Sequence, residues 1–356
     1  MATYRVGAGG NDGNTGLSWA QRKLTLNGVE DIPVAAGDTC YVAPGVYREA
    51  LTCDVSGGAG SPITYIGDVT GANTDGVGGI VRITGSDDDQ SATRNYNIVG
   101  GGYNYRTFRG FWLDSAVFAG GYAQGTDWVL EDMVFSENGN NGFFAQGAAQ
   151  LRYTYRRCLS WGNKYSALSF DNGSPVDNTG HVVENCLLIG GDSSGILANA
   201  IGGITVRNSF IYSVYRGINV QTALTAGQTV TVNQCILLVC QNGFWATAGG
   251  EITEDYNNLW NNGTDYVNTV PGAHSVSYPP LFQPPMLLNE FEYSWWMGKL
   301  SQWSALGSIA GTGVPTDDLF GITRAGAPSS WGPIEYTSAP ARRDWDAGTS
   351  RGRRGS

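Results

Sequence analysis

Between residues 128 and 266 short runs of alternating apolar and polar residues recur, each followed by the same punctuation. In order they are WVLEDMVFSENGNNGFF, YTYRRCLSWGNKYSAL, HVVENCLLIGGDSSGIL, ITVRNSFIYSVYRGIN, VTVNQCILLVCQNGFW and EITEDYNNLWNNGTDY. Each reads as a strand of period two, a two-residue polar turn, a second strand, a Gly/Asn/Ser corner and a short third strand. The repeat is roughly 20–28 residues long, as in solenoids. An earlier stretch, YRTFRGFWLDSAVFAGGY, fits the frame less closely.

Aligned on the residue after the turn, the units form columns. That reference column reads Met133, Cys158, Cys186, Ser209, Cys235, Tyr256. Three positions earlier stand Leu130, Tyr155, Val183, Val206, Val232 and Thr253. Both columns are mostly apolar or small, which points them inward. The first polar column between them is Glu131, Arg156, Glu184, Arg207, Asn233, Glu254. With coils stacked ~4.8 Å apart it becomes a ladder of alternating charge, which specifies register more than stability. The second, Asp132, Arg157, Asn185, Asn208, Gln234, Asp255, suits the turn itself. Three strands per coil with a polar turn predict a parallel β-helix; an antiparallel sandwich would need regular hairpin turns.

The second strand breaks the rule of alternation. Cys186-Leu187-Leu188-Ile189 is apolar throughout. Its outward columns read Val134, Leu159, Leu187, Phe210, Ile236, then Ser136, Trp161, Ile189, Tyr212, Leu238. Exposed apolar patches of that height are uncommon on soluble monomers, so something covers the stripe. Sister chains of a homotrimer are the expected cover, through Leu159, Trp161, Leu187, Ile189, Phe210, Tyr212, Ile236 and Leu238. A fold-back of the Pro/Trp/Leu-rich segment 271–336 is the alternative.

Composition agrees with an all-β chain: 356 residues, 52 of them Gly, with 12% aromatic and only 15% charged. A net charge of −10 argues against nucleic-acid binding. The basic end ARRDWDAGTSRGRRGS carries Arg342, Arg343, Arg351, Arg353 and Arg354, either a solvated tail or an arm that docks on an acidic partner. The first residues have neither a charged n-region nor an apolar h-region, and no apolar run is long enough to span a bilayer. Assembly in a cytoplasm is therefore expected. Among the six cysteines, Cys158, Cys186 and Cys235 share the inward column and are read as small core residues. None has zinc-site spacing, and a Cys40–Cys53 bond stays open.

The segment GDTCYVAPGVYREALTCDVSGGAGSPITYIGD (37–68) resembles the first coils of right-handed parallel β-helix proteins of the pectate-lyase-like superfamily. The start, YRVGAGGNDGNTGLSWAQRKLTLNGV, is similar to their N-terminal strand and capping helix. The stretch 304–336 is similar to the closing segment of bacterial and phage members. The resemblance implies an all-β, right-handed, single-stranded parallel β-helix with a short N-terminal capping helix and an irregular C-terminal segment. The expected organisation is cap and first coils over 1–60, helix body over 61–270, closing segment over 271–340 and basic tail over 341–356. The superfamily holds lyases, hydrolases, adhesins and virion spikes, so fold alone does not select among them.

Catalytic motifs are incomplete. Asp75 sits in an NTDG without the Gly-His-Gly and second aspartate pair that polygalacturonases of this superfamily carry; a turn explains it. Asp87, Asp88 and Asp89 are possible Ca²⁺ ligands, but consecutive carboxylates diverge. The pairs Glu131/Asp132 and Glu254/Asp255 have the right chemistry for glycoside hydrolysis and are explained as well by the repeat. His181 falls in an inward column, as a core histidine would. Trp245, Trp260, Trp295 and Trp296 are candidates to stack on sugars, or to pack loops over the helix.

Two functions follow as expectations. The first is a non-enzymatic bacteriophage virion protein — capsid decoration, fibre or tail spike — built as a homotrimer. It would contact other virion proteins and host-surface polysaccharide, without a cofactor. The alternative is a polysaccharide lyase or glycoside hydrolase acting on an extracellular polysaccharide.

Overall fold

The computed structural model describes residues 1–32, 34–147, 152–176 (side chains to 172), 180–280, 316–318 and 323–324. It is an all-β parallel solenoid of about nine turns. Helix among the described residues is limited to one α-turn, Asn27–Glu30, and one 3-10 turn, Trp19–Gln21. Two compact units divide the chain, Met1–Ala149 and Gln150–Ala341.

In the first unit, sheet one holds Thr3–Val6, Thr39–Val42, Ile63–Gly67, Arg106–Arg109 and Trp128–Glu131. Sheet two holds Gly45–Tyr47, Val81–Thr84, Phe111–Asp114 and Val134–Ser136. Sheet three holds Leu51–Thr52, Tyr96–Val99, Ala119–Ala123 and Asn141–Gln146. The interior carries an aromatic stack: Tyr65 on Phe108 and Phe108 on Trp128, both at 5.4 Å between ring centres.

The second unit repeats the pattern. Its sheet one holds Tyr153–Arg156, His181–Glu184, Ile204–Arg207, Val230–Asn233 and Ile252–Asp255. Sheet two holds Leu159–Trp161, Leu187–Ile189, Phe210–Tyr212, Ile236–Leu238 and Asn258–Trp260. Sheet three holds Ser166–Val176, Ser194–Ile201, Arg216–Thr222, Asn242–Ala246 and Thr264–Val267.

The turn column adopts the left-handed conformation. Asp132, Arg157, Asn185, Asn208, Gln234 and Tyr256 have φ of 55°, 54°, 55°, 46°, 56° and 56°. Asn and Asp tolerate that region best, which explains the polar dipeptide in most repeats. The charge ladder forms beside it. Glu184 accepts from Arg156 and, at 2.8 Å, from Arg207 Nε in the neighbouring coils.

The last coil departs from the sequence alignment by one residue. Val232 pairs with Glu254 and Asn233 with Asp255. Tyr256, not Asp255, therefore takes the turn, and Asn257 the reference position. Glu254 is thereby placed in the inward column. This is tolerable because Asn257 Nδ2 donates to it at 2.6 Å, and Ser275 Oγ and the Gly272 N–H also donate.

Corner glycines mark where sheet two packs on sheet three. A Cβ on Gly195 would lie 2.5 Å from the Ile211 side chain, and one on Gly217 2.6 Å from that of Leu237. These contacts turn Ile211 and Leu237 inward, so their neighbours Phe210 and Ile236 face out.

The outward column is nevertheless out of solvent within one chain. Leu159, Leu187, Phe210 and Ile236 are at most 1% exposed. Leu238 is buried, and Trp161, Ile189 and Tyr212 are partly so. Five of the eight residues are thus shielded within one chain, while Trp161, Ile189 and Tyr212 keep exposed surface. All six cysteines are buried and unpaired, Cys40 and Cys53 included. Trp295, Trp296 and the arginines Arg342, Arg343, Arg351, Arg353 and Arg354 lie outside the described residues.

Candidate glycan-binding face

The carboxylates singled out in the sequence do not converge. Asp75 is exposed in its turn, where Oδ1 accepts the Val77 N–H at 2.9 Å. Glu131 and Asp132 both meet Arg109, at 3.8 and 3.0 Å. Asp255 holds His274 through both its backbone N–H and ring Nδ1, each at 2.8 Å, and that ring lies flat on Tyr256. Partial burial pushes the Asp255 carboxyl up, but the bonds from His274 and the Tyr256 N–H outweigh it and hold it below the usual range. Glu254 is enclosed by the donors already named.

The acidic run is also committed. Asp87 pairs with Arg94; Asp88 accepts the N–H groups of Gln90 and Ser91 at 2.9 Å; Asp89 pairs with Arg48 and Arg82. Among the described residues no three His, Cys, Asp or Glu side chains gather as metal ligands.

What the structure does assemble is aromatic. On the outward side of sheet three in the first unit, Tyr96 stacks on Tyr122 with ring centres 5.1 Å apart. Tyr122 in turn meets Phe144 at 5.8 Å. Phe118 stands edge-on to Tyr96 and Phe144, at 5.7 and 5.8 Å. Pairing aligns Tyr122 with Phe144, so the coil spacing sets that pair. Tyr96 pairs with Ala119, and its ring reaches Tyr122 from three residues before Val99, the partner of Tyr122. All four rings are partly exposed. Burial raises the pKa of the Tyr96 and Tyr122 hydroxyls, keeping both neutral. The Tyr122 hydroxyl also donates to Gln146 Oε1 at 3.3 Å.

Such a face is flat, apolar and edged with hydrogen-bonding groups. A pyranose ring offers the complement: an apolar C–H face with hydroxyls around its rim. Aromatic residues with a polar handle suit such mixed surfaces. These four residues lie outside the candidates that the sequence pattern predicts. The available signal was position: Tyr122, Phe144 and Trp245 each stand two residues past a corner glycine, in AGGY, NGFF and NGFW. Trp245 does face outward on sheet three of the second unit, partly exposed, whereas Trp260 lies on sheet two.

A second cluster lies on sheet two of the first unit. Arg82 Nε donates to Asp114 Oδ2 at 2.7 Å while its Nη1 donates to Asp89 at 2.8 Å. Asp114 is 3% exposed, and its Oδ1 finds no donor among the described residues. Burial raises its pKa against the opposing pull of Arg82. Trp112 pairs with Arg82 across the strands and donates to Ser136 Oγ at 2.6 Å.

No family model matches the sequence, and no curated protein does. Among solved structures the chain is similar to a pectate lyase, Pel9A, at 15% identity and a TM-score of 0.51, over 95% of this chain and 97% of that one. It is also similar to a rhamnogalacturonan lyase, at 18% identity and a TM-score of 0.50, over 75% of each chain. At these identities the likeness is one of fold: the chain shares a parallel β-solenoid with these two lyases.

Proposed function

We propose that the protein is a non-catalytic, glycan-binding β-solenoid, serving as a fibre, spike or decoration protein of a bacteriophage virion. The observation that carries the binding reading is the ladder Tyr96–Tyr122–Phe144 on an outward sheet face. Support for the absence of catalysis comes from the carboxylates, which are individually committed to arginines, backbone N–H groups or turns. The virion setting rests on the sequence resemblance and the composition of the chain.

Binding is tested on an array of bacterial surface polysaccharides and by calorimetry on the hits. Tyr122→Ala and Phe144→Ala should each weaken binding at least tenfold, since each removes ~1.4 kcal/mol or more of contact. Their unfolding midpoints should stay near that of the parent, because both rings face outward. Retention of full affinity by the double variant would refute the assignment of this face.

A lyase or hydrolase reading is favoured by one observation, the Asp114–Arg82–Asp89 bridge. It demands release of unsaturated or reducing ends from a polysaccharide, lost in Asp114→Asn. Turnover that survives Asp114→Asn would remove that cluster from consideration.

A further inference from the structure

Arg216 opens a strand of sheet three in the second unit. It pairs with Ser194 in the preceding coil and Asn242 in the next. Its guanidinium carbon lies 3.9 Å from the ring centre of Trp245 and 5.2 Å from that of Tyr215. Trp245 is the outward residue of the following coil, and Tyr215 is exposed. Stacking on aromatic faces suits a guanidinium because its planar charge meets the negative ring faces.

The hydrogen bonding of this arginine is incomplete. Its one bond among the described residues is a long one, from Nη1 to Asn219 Oδ1 at 3.4 Å. No carboxylate pairs with it there, and Nε is shielded without an acceptor. This is unusual in the same chain. Arg48, Arg82, Arg94, Arg106, Arg109, Arg156, Arg157 and Arg207 each meet a carboxylate. Arg5 and Arg22 instead donate repeatedly to backbone carbonyls. In a protein with ten more acidic than basic side chains, a cation left without an anion stands out.

The neighbours hold the fork in place. Asn219 is 1% exposed, and its Nδ2 donates to Ser194 Oγ at 2.9 Å. That bond turns the Asn219 oxygen toward Arg216. The arginine is thus fixed by stacking and by one amide, with N–H donors left for a planar or tetrahedral anion. The two terminal nitrogens of the rigid fork match a carboxylate or sulfate oxygen pair, and the adjacent indole matches a sugar ring.

We propose that Arg216, with Trp245, Tyr215 and Asn219, forms a subsite that reads one anionic substituent on a glycan, a carboxylate or a sulfate. The inference rests on the glycan-binding reading above and names the chemistry of the ligand. The guanidinium recognises the anion, Trp245 carries the sugar that bears it, and Asn219 sets the orientation of the guanidinium.

The probes are a hexameric oligogalacturonate, dextran sulfate and unmodified dextran, titrated into the full chain at two salt concentrations. The charged probes should bind more tightly than dextran, and the one carrying the cognate anion should bind tightest. Arg216→Gln should weaken the charged probes about ten- to hundredfold and remove most of their salt dependence, while leaving dextran unchanged. Arg216→Lys keeps the charge but loses the fork and the stacking, so it should recover part of the affinity only. Circular dichroism and thermal melting of each variant separate lost binding from lost folding. Equal binding of a charged probe by the parent and by folded Arg216→Gln overturns the subsite. If neutral glycans bind through Tyr122 while neither charged probe gains from Arg216, the subsite fails and the glycan-binding reading stands. If no array glycan and no probe binds, both fail.

Discussion

Arg106→Met is expected to lower the unfolding free energy by about 3–5 kcal/mol, the range for breaking one side of a buried ion pair. The Arg106 side chain is fully buried, and its two terminal nitrogens meet the two oxygens of Glu30 at 2.6 and 3.0 Å. Glu30 belongs to the helical turn and also accepts the Tyr65 hydroxyl at 2.5 Å and the Asp54 N–H at 3.1 Å. Arg106 Nε donates to the Val55 carbonyl at 2.8 Å. These bonds tie the turn and the 53–56 segment to the interior aromatic stack. Removing the guanidinium leaves a carboxylate in a dry site without its counter-charge, and that desolvation is the larger part of the loss. Urea denaturation of Arg106→Met, Glu30→Gln and the double variant measures it. The double variant should lose less than the sum of the two single ones, because no buried charge is then left alone. Strictly additive losses would show that the two side chains act independently.

His181→Phe is expected to flatten the acid side of the stability profile. His181 is fully buried, stacked on Tyr153 and edge-on to Phe170, and its Nδ1 accepts the Tyr153 N–H at 3.3 Å. Burial, with a smaller contribution from Arg152, lowers its pKa from 6.5 to about 3. The folded protein therefore holds the neutral ring, and the unfolded chain binds the extra proton between those two values. Stability is complete above pH 6.5 and falls as the pH drops toward 3, by up to ~1.4 kcal/mol per pH unit from this group. Phenylalanine fills the same space but leaves the Tyr153 N–H without its acceptor, a pH-independent cost of about 1–3 kcal/mol. The variant should be less stable than the parent at pH 7.5, with the difference shrinking or reversing near pH 4.5. Carboxylates with lowered pKa, Asp12 and Asp255, add their own acid loss only below that window. Parallel profiles for the two proteins between pH 6.5 and 4.5 would exclude the histidine as the cause.

Much of the solenoid was legible along the chain because a stacked coil repeats its own chemistry. The left-handed turn appears as Glu-Asn, Arg-Asn or Asn-Gln, and the inward strands as Tyr-x-Tyr or Val-x-Val, since each column imposes the same side and burial on every coil. The final coil differs from the sequence pattern by one residue because Glu254-Asp255 imitates the turn dipeptide of earlier coils. Only the pairing of Val232 with Glu254 reveals that a carboxylate occupies an inward position. A local pattern cannot report the Gly272 N–H and Ser275 hydroxyl that make this possible, because they come from a later segment.

The candidate binding face was largely hidden. Tyr96, Phe118, Tyr122 and Phe144 are spread over 49 residues and become neighbours only when coils stack. Arg216 is one arginine among many in sequence; its missing counter-ion is a property of three-dimensional surroundings. The outward leucines and phenylalanine of sheet two show the converse. Their apolar character was plain, but a sequence pattern states which residues avoid water without stating what keeps water away.

By itself, then, the sequence determined the repeat, the three strands per coil, the turn column and the inward cysteines. All of these follow from periodicity, which is local. Tertiary structure alone decided that Leu187 and Phe210 are covered within one chain, that Arg106 and Glu30 share a dry site, and which aromatic rings form a ladder. Those outcomes depend on contacts between residues far apart in the chain, where the free energy is set by burial and charge pairing.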